Sequence, residues 1–226
     1  MDLSHAPVIQ LSNVRLSYPS PEGDIDVLNG IDLSVAPGEI AAVTGPSGSG
    51  KSSLIAIIGG LEPLSGGAAH VLGTDLAASD ERSRTLLRRR DIGIVFQAYH
   101  LVPSLTARQN AALPLTLAGQ TDAEARAAEM LERVGLGHRL THRPSALSGG
   151  EQQRVAVARA FVAGPRLVLA DEPTGNLDRR TGAVVIETMF ELARSSGTAL
   201  LLVTHDPELA ARCDRTLVIE DGRVVS

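Results

Sequence analysis

Residues 45–52 read Gly-Pro-Ser-Gly-Ser-Gly-Lys-Ser, and the residues on either side leave this segment few options. A Pro37-Gly38 turn and a short apolar run, Glu39–Val43, stand before it. After it, Lys51–Ile58 has the composition of a helix that stops at Gly59-Gly60. Strand, glycine loop and helix in that order aim backbone N–H groups and the positive end of a helix at one point. That arrangement is a seat for a phosphate group. In it Lys51 would neutralise the β- and γ-phosphates of a nucleotide, and the Ser52 hydroxyl would ligate Mg²⁺. The segment by itself does not choose among kinases, GTPases and motors.

Composition sharpens one residue. Lys51 is the only lysine among 21 lysines and arginines. A compact ammonium on a flexible stem suits a crowded phosphate site better than a planar guanidinium does. Other features exclude function classes. No apolar run reaches the length that crosses a bilayer. The N-terminus carries no basic-then-apolar leader, which argues against secretion. Cys213 is alone, so no internal disulfide is expected. A net charge of −5 argues against a surface that coats nucleic acid.

Along the chain, Val8–Leu16 and Asp26–Val35 read as strands, the second broken at Asn29-Gly30. Ala68–Gly73 reads as a strand, Ser79–Arg90 as a polar helix and Ile92–Phe96 as a strand. Between 98 and 150 the strand signals fade, and Glu124–Val134 has apolar residues at helical spacing. Alternation then resumes with helix 151–163, strand Leu167–Ala170, helix 181–194, strand Ala199–Val203, short helix 207–212 and strand Thr216–Ile219. The expected class is α/β: a mostly parallel sheet with an antiparallel β edge, plus a small helical subdomain. Within a single domain over 1–226, residues 1–97 and 151–226 would form the nucleotide-binding core and 98–150 the helical subdomain.

A second glycine-rich helix start lies at Leu147-Ser-Gly-Gly-Glu151. Ser148 as N-cap and Glu151 three residues later form a capping box, which suffices to start a helix. It does not explain two adjacent glycines, which are costly unless backbone must approach something closely. Ser148, Gly149 and Gly150 would make a second anion grip. Leu167-Val-Leu-Ala-Asp171-Glu172 is an apolar strand ending in two carboxylates. Asp171 suits water-mediated Mg²⁺ binding, and Glu172 suits a general base for an attacking water. His5, His70, His100, His138 and His142 show no metal-ligand spacing. Arg88-Arg-Arg90 reads as a solvated helix end.

With these segments in place the chain resembles the ATP-binding cassette (ABC) ATPases. Leu147-Ser-Gly-Gly-Glu151 is similar to their signature motif, with Glu where Gln is commonest. The resemblance spans nearly the whole chain. It implies that Tyr18 stacks on adenine, that Gly45, Pro46, Ser47, Gly48, Ser49, Gly50, Lys51, Ser52 and Ser53 hold the phosphates of ATP, and that Gln97 contacts Mg²⁺ and senses a transporter subunit. Asp178, in Pro173-Thr-Gly-Asn-Leu-Asp178, would communicate across a dimer, and His205 would contact the γ-phosphate. Lys51, Gln97, Glu172 and His205 are the catalytic set; Ser52, Gln97 and Asp171 are the metal set. The family implies a head-to-tail homodimer, each ATP lying between one copy's phosphate loop and the other copy's Ser148, Gly149, Gly150 and Glu151.

Within the family, Phe96-Gln97-Ala-Tyr-His-Leu-Val-Pro-Ser-Leu-Thr and Ala170-Asp-Glu-Pro-Thr-Gly-Asn-Leu-Asp178 resemble the lipoprotein-release and macrolide-efflux group. The runs 151–161 and 210–215 resemble its YbbA branch. Gln109 stands where members of the group often carry Glu. The resemblance implies an ATPase that does not itself span the membrane, lies on the cytoplasmic face of the bacterial inner membrane and drives a separate integral-membrane permease on lipid-like or hydrophobic cargo. The alternative it leaves open is an ABC ATPase that signals across the membrane to cell-wall hydrolases.

Overall fold

The structure is a computed structural model that describes residues 6–21 and 23–225. His5 lies outside the described residues. In chain order the elements are β1 (Ile9–Tyr18), β2 (Ile25–Val35), β3 (Ile40–Thr44), α1 (Lys51–Ile58), β4 (Gly66–Val71), β5 (Thr74–Asp75), α2 (Glu81–Asp91) and β6 (Ile92–Phe96). Then come α3 (Ala107–Leu117), α4 (Ala123–Arg133), α5 (Gly149–Phe161), β7 (Leu167–Asp171), α6 (Arg179–Ser196), β8 (Ala199–Val203), α7 (Pro207–Ala210), β9 (Arg215–Glu220) and β10 (Arg223–Val224). The chain forms two compact units, one of Met1–Arg88 with Ala199–Ser226, the other of Arg89–Thr198. The expected mixture of parallel strands, antiparallel β-structure and helices is present.

In the first unit β3 runs parallel to β8 on one side and to β9 on the other, with Ile40 opposite Leu200 and Ala41 opposite Arg215. A strand flanked on both edges and covered on both faces reads as an unbroken apolar run. Accordingly Ile40, Ala41, Ala42 and Val43, and all five residues of β8, are fully buried. The second sheet of this unit is antiparallel, in the order β2-β1-β4-β5. There β1 alternates buried Ile9, Leu11, Val14 and Leu16 with exposed positions, as a half-covered sheet requires. The alternation slips one residue at Asn13, whose φ is +49°. Opposite it, Gly30 has φ +92°, and a Cβ there would lie 2.7 Å from Asn13 Oδ1. So Asn29-Gly30 does not break β2: it is a bulge that the sheet absorbs. Arg88 departs from expectation too. Its guanidinium donates to Glu81 at 2.8 Å and to the Gly60 carbonyl, so Arg88 is bonded into the fold, while Arg89 and Arg90 are exposed at the helix end.

In the second unit β6 and β7 pair in parallel from Ile92 opposite Leu167 to Phe96 opposite Asp171. Helices α3, α4 and α5 pack on one another, and α5 also packs on α6 and β6. Gly93 of β6 admits α5 closely, since a Cβ would strike the Ala160 carbonyl. The first turn of α3 is fixed by a capping box between Thr106 and Gln109. One turn on, fully buried Asn110 closes the loop before the helix. Its Oδ1 accepts from Val102 N at 2.7 Å, and its Nδ2 donates to the carbonyls of Val102, Leu105 and Thr106 at 3.0–3.1 Å.

Removing that amide breaks its bonds to the Val102 N–H and the Leu105 carbonyl, each worth about 0.5–1.5 kcal/mol, whereas the Val102 and Thr106 carbonyls keep backbone partners. Asn110→Ala is therefore expected to lower stability by about 2 kcal/mol in urea titration. A loss below about 0.5 kcal/mol would show that water replaces the amide.

Candidate functional site

The phosphate loop grows out of β3, whose first four residues are fully buried. Past Thr44 the chain turns through Gly45, Gly48 and Gly50, at φ of +145°, +81° and +95°. Side chains are excluded for two reasons. At Gly45 a Cβ would strike the Ile219 carbonyl, and at Gly50 it would lie 2.6 Å from Leu28 and 2.8 Å from the Val27 carbonyl. At Gly48 nothing lies within 4 Å, so there the conformation alone selects glycine. Pro46, Ser47 and Gly48 face solvent, while Ser49, Gly50 and Lys51 are buried.

Helix α1 starts at the end of this loop without a cap. Gly50 at the N-cap offers no side chain, and the first turn has no acidic residue. By contrast α3, α5, α6 and α7 are all capped by side chains, from Thr106, Ser148, Asp178 and Asp206. The first N–H groups of α1 and its positive end are thus left for an external anion. Lys51 folds back over the loop, its Nζ donating to the carbonyls of Gly45 at 3.0 Å and Pro46 at 2.6 Å. The Ser49 hydroxyl is buried and makes no hydrogen bond among the described residues. Ser52 is exposed on the first turn and Ser53 half-buried behind it. A Cβ-free cradle, an uncapped helix end, a held ammonium and an orphaned hydroxyl fit a nucleotide's phosphates.

Two further residues belong to this unit. His205, just beyond β8, lines an open recess of about 420 Å³ together with Thr44, Gly45, Pro207, Ala210, Ala211 and Thr216. The fold thus brings His205 to the base of the phosphate loop. Tyr18 ends β1, 39% exposed as a residue, with its hydroxyl bonded to Glu62. That bond, with the nearby carboxylate charge, raises the phenol above its usual value.

The second unit carries the other predicted residues. Asp171 ends β7, and Glu172 follows at φ +44°, a strained value for a residue with a side chain. A turn then closes, with Gly175 N bonding the Glu172 carbonyl at 3.0 Å. Gln97, one residue past β6, pairs with Asn176 of this turn in both directions. Its Nε2 donates to Asn176 Oδ1 at 3.3 Å, and Asn176 Nδ2 donates to the Gln97 carbonyl at 3.1 Å. Asp178 is the N-cap of α6, accepting from Thr181 N at 3.0 Å. Its bonds to Thr181 and the adjoining N–H groups hold the carboxyl below its usual value.

The signature segment is a capping box, as its residue types require: Ser148 Oγ accepts from Glu151 N, and Glu151 Oε2 from Ser148 N at 2.8 Å. Arg139 donates to the other Glu151 oxygen at 2.8 Å. The Ser148 N–H first, and then Arg139, hold the Glu151 carboxyl below its usual value. The two glycines also have reasons inside the chain. A Cβ on Gly149 would lie 2.9 Å from the Tyr99 hydroxyl, and one on Gly150 would strike Thr181.

Sequence reasoning did not single out Asn176 or Arg159. Arg159 of α5 donates to the carbonyls of Tyr99 at 2.8 Å and His100 at 2.6 Å, two consecutive residues in the left-handed region. Gln153 Nε2 of the same helix holds the Phe96 carbonyl at 3.2 Å. No local signal marks either contact, because both partners are backbone carbonyls distant in sequence. Among the described residues no three or more His, Cys, Asp and Glu side chains are grouped to hold a metal. Ser52 of the first unit, and Gln97 and Asp171 of the second, each carry a hard oxygen donor of the kind that suits Mg²⁺.

The chain belongs to the ABC transporter family, whose model matches residues 28–175, and it is an ABC-type ATPase. It is 50% identical, over 96% of both chains, to the lipoprotein-releasing system ATP-binding protein LolD of Alcanivorax borkumensis. It is 47% identical, over 96% of both, to the uncharacterized ABC transporter ATP-binding protein YbbA of Escherichia coli K12. A solved dimer of the ATP-binding cassette MJ0796, in a post-hydrolysis state with ADP and Pi, superposes with a TM-score of 0.89. That match has 36% identity and covers 96% of this chain and 97% of the other.

Because the folded Glu151 carboxyl titrates lower than the unfolded one, its contribution is full above the ordinary value of 4.5 and is lost as pH falls through the folded value. Glu151→Gln is expected to cost about 1 kcal/mol at pH 7 and less at a pH below the folded value. An equal cost at both pH values in denaturant titration would show that charge is not the cause.

Proposed function

We propose that this chain is the motor of a transporter complex in which two copies close head to tail around two ATP and drive a separate membrane permease. The observation that carries the reading is the uncapped start of α1 behind the glycine loop, with Lys51 held over it. Residues Gly45 to Ser53 bind the triphosphate, with Lys51 neutralising charge on its β- and γ-groups. Tyr18, an exposed aromatic at the end of β1, stacks on the base. Glu172 takes the proton of the attacking water, and His205 orients the γ-phosphate from the recess beside Gly45. Mg²⁺, when bound, supplies the charge that stabilises the departing phosphate, and Ser52, Gln97 and Asp171 are the residues that would hold it. Ser148, Gly149, Gly150 and Glu151 of one copy close on the ATP of the other, and Asp178 carries the state of one site to the next.

Residues 98–150 act as the helical subdomain that meets the permease. Among the described residues no helix is long and apolar enough to cross a membrane, so anchorage would come from that partner at the cytoplasmic face of the bacterial inner membrane. Lipid-like or hydrophobic cargo is supported by the name of the relative from Alcanivorax, a lipoprotein-releasing ATP-binding protein.

Two experiments test this. Lys51→Ala is expected to weaken nucleotide affinity by about 100-fold, the scale of losing a charged contact to phosphate; unchanged affinity would remove Lys51 from the site. Tagged protein drawn from membranes in mild detergent is expected to bring down a polytopic permease with a large extracytoplasmic domain. Recovery of soluble partners alone would contradict the transport role.

A further inference from the structure

The roles assigned above leave Asn176 unused, although both of its amide groups bond Gln97. The two ends of an amide are nearly isosteric, so a lone glutamine amide presents either its oxygen or its NH₂ group to a neighbour. Here one partner removes the ambiguity. The Gln97 backbone carbonyl only accepts, so the Asn176 end that meets it is Nδ2. Asn176 Oδ1 then lies at the opposite end and accepts from Gln97 Nε2. The NH₂ end of Gln97 is thereby spent on Asn176, and Oε1, the only end able to ligate a cation, lies on the other side.

Gly175 completes the fit. A Cβ on it would lie 2.6 Å from Gln97 Nε2 and 3.0 Å from Cδ, so the Gln97 side chain lies flat on glycine backbone. The Gly175 N–H bonds the Glu172 carbonyl in turn, linking the pair to the residue read as the general base. Gln97 and Asn176 are both exposed. Hydrogen bonds exchanged there with water add little to stability, so what the pair supplies is orientation.

We propose that Asn176 is a positioning residue that fixes which end of the Gln97 amide faces the metal. The proposal rests on the reading of Gln97 as a Mg²⁺ ligand. Outer partners of metal ligands elsewhere are worth about 10–100-fold in metal affinity, and a singly bonded amide on an exposed loop belongs at the lower end of that range.

The test is the affinity for a fluorescent ATP analogue, measured with excess EDTA and with excess Mg²⁺, so that the gain due to metal is read without turnover. Asn176→Ala is expected to lose about tenfold of the Mg²⁺ gain while its affinity in EDTA stays within about twofold of wild type. Gln97→Ala should lose at least as much, and the double variant no more than Gln97→Ala alone, because both act through one oxygen. Gly175→Ala, which displaces the Gln97 amide with the Asn176 side chain intact, should show the same loss and decides the matter if Asn176→Ala folds poorly. A full Mg²⁺ gain in Asn176→Ala and Gly175→Ala, or losses that multiply in the double variant, would overturn the proposal. A full gain in Gln97→Ala would overturn it together with the assignment of Gln97 to the metal.

Discussion

The first unit depends on one constraint: a buried parallel strand, β3, must deliver its chain end into a loop with no room for a side chain at positions 45 and 50. Beneath the loop lie the Ile219 carbonyl and the Val27–Leu28 backbone and side chain, so the glycines at 45 and 50 are needed for packing before any ligand is considered. The same glycine at 50 deprives α1 of a cap. An element that in most helices stabilises the first turn is absent, and four other helices of the chain retain it. The cost of an uncapped helix end is of order 1 kcal/mol, and a bound phosphate would offset it. Local instability and binding capacity are here the same feature.

In the second unit, α5 does the comparable work. It opens on the signature residues and, along its length, holds the segment after β6 through Gln153 and Arg159. Tyr99 and His100 both sit in the left-handed region, at φ of +57° and +48°. Conformations of that kind persist only where surrounding contacts over-determine them. Arg159 supplies two charge-assisted bonds, and Phe96 and His100 meet edge to face at 5.0 Å. Burial pushes the Arg159 guanidinium below its usual value, and an arginine remains a cation in such a site. The segment bearing Gln97 is therefore held by the helix that bears the signature.

Much of this was legible in the residues, for identifiable reasons. Helix α1 and strands β6 and β8 match their expected limits, because apolar runs bounded by Gly or polar residues leave little choice. Strands β5 and β10, two residues each, fall below any periodicity. Helix α3 was not resolved within the helical stretch: its interior Pro114 and its buried Asn110 both obscure the pattern. The Asn29-Gly30 bulge depends on Asn13 across the sheet, a pairing no window of sequence contains. In the sites the residue types were readable, since glycine, lysine and paired carboxylates carry their own chemistry. The Asn176–Gln97 pair, the Arg159 contacts and the Arg139–Glu151 bridge are tertiary, and nothing local announces them.

The central claim is that Glu172 completes hydrolysis at an ATP that two copies enclose. The most direct test is the mass of the Glu172→Gln variant in solution, by light scattering, with ATP and with ADP. The account predicts a stable dimer with ATP, a monomer with ADP, and turnover reduced at least 100-fold. A variant that stays monomeric with saturating ATP, or hydrolyses it at the wild-type rate, would contradict it.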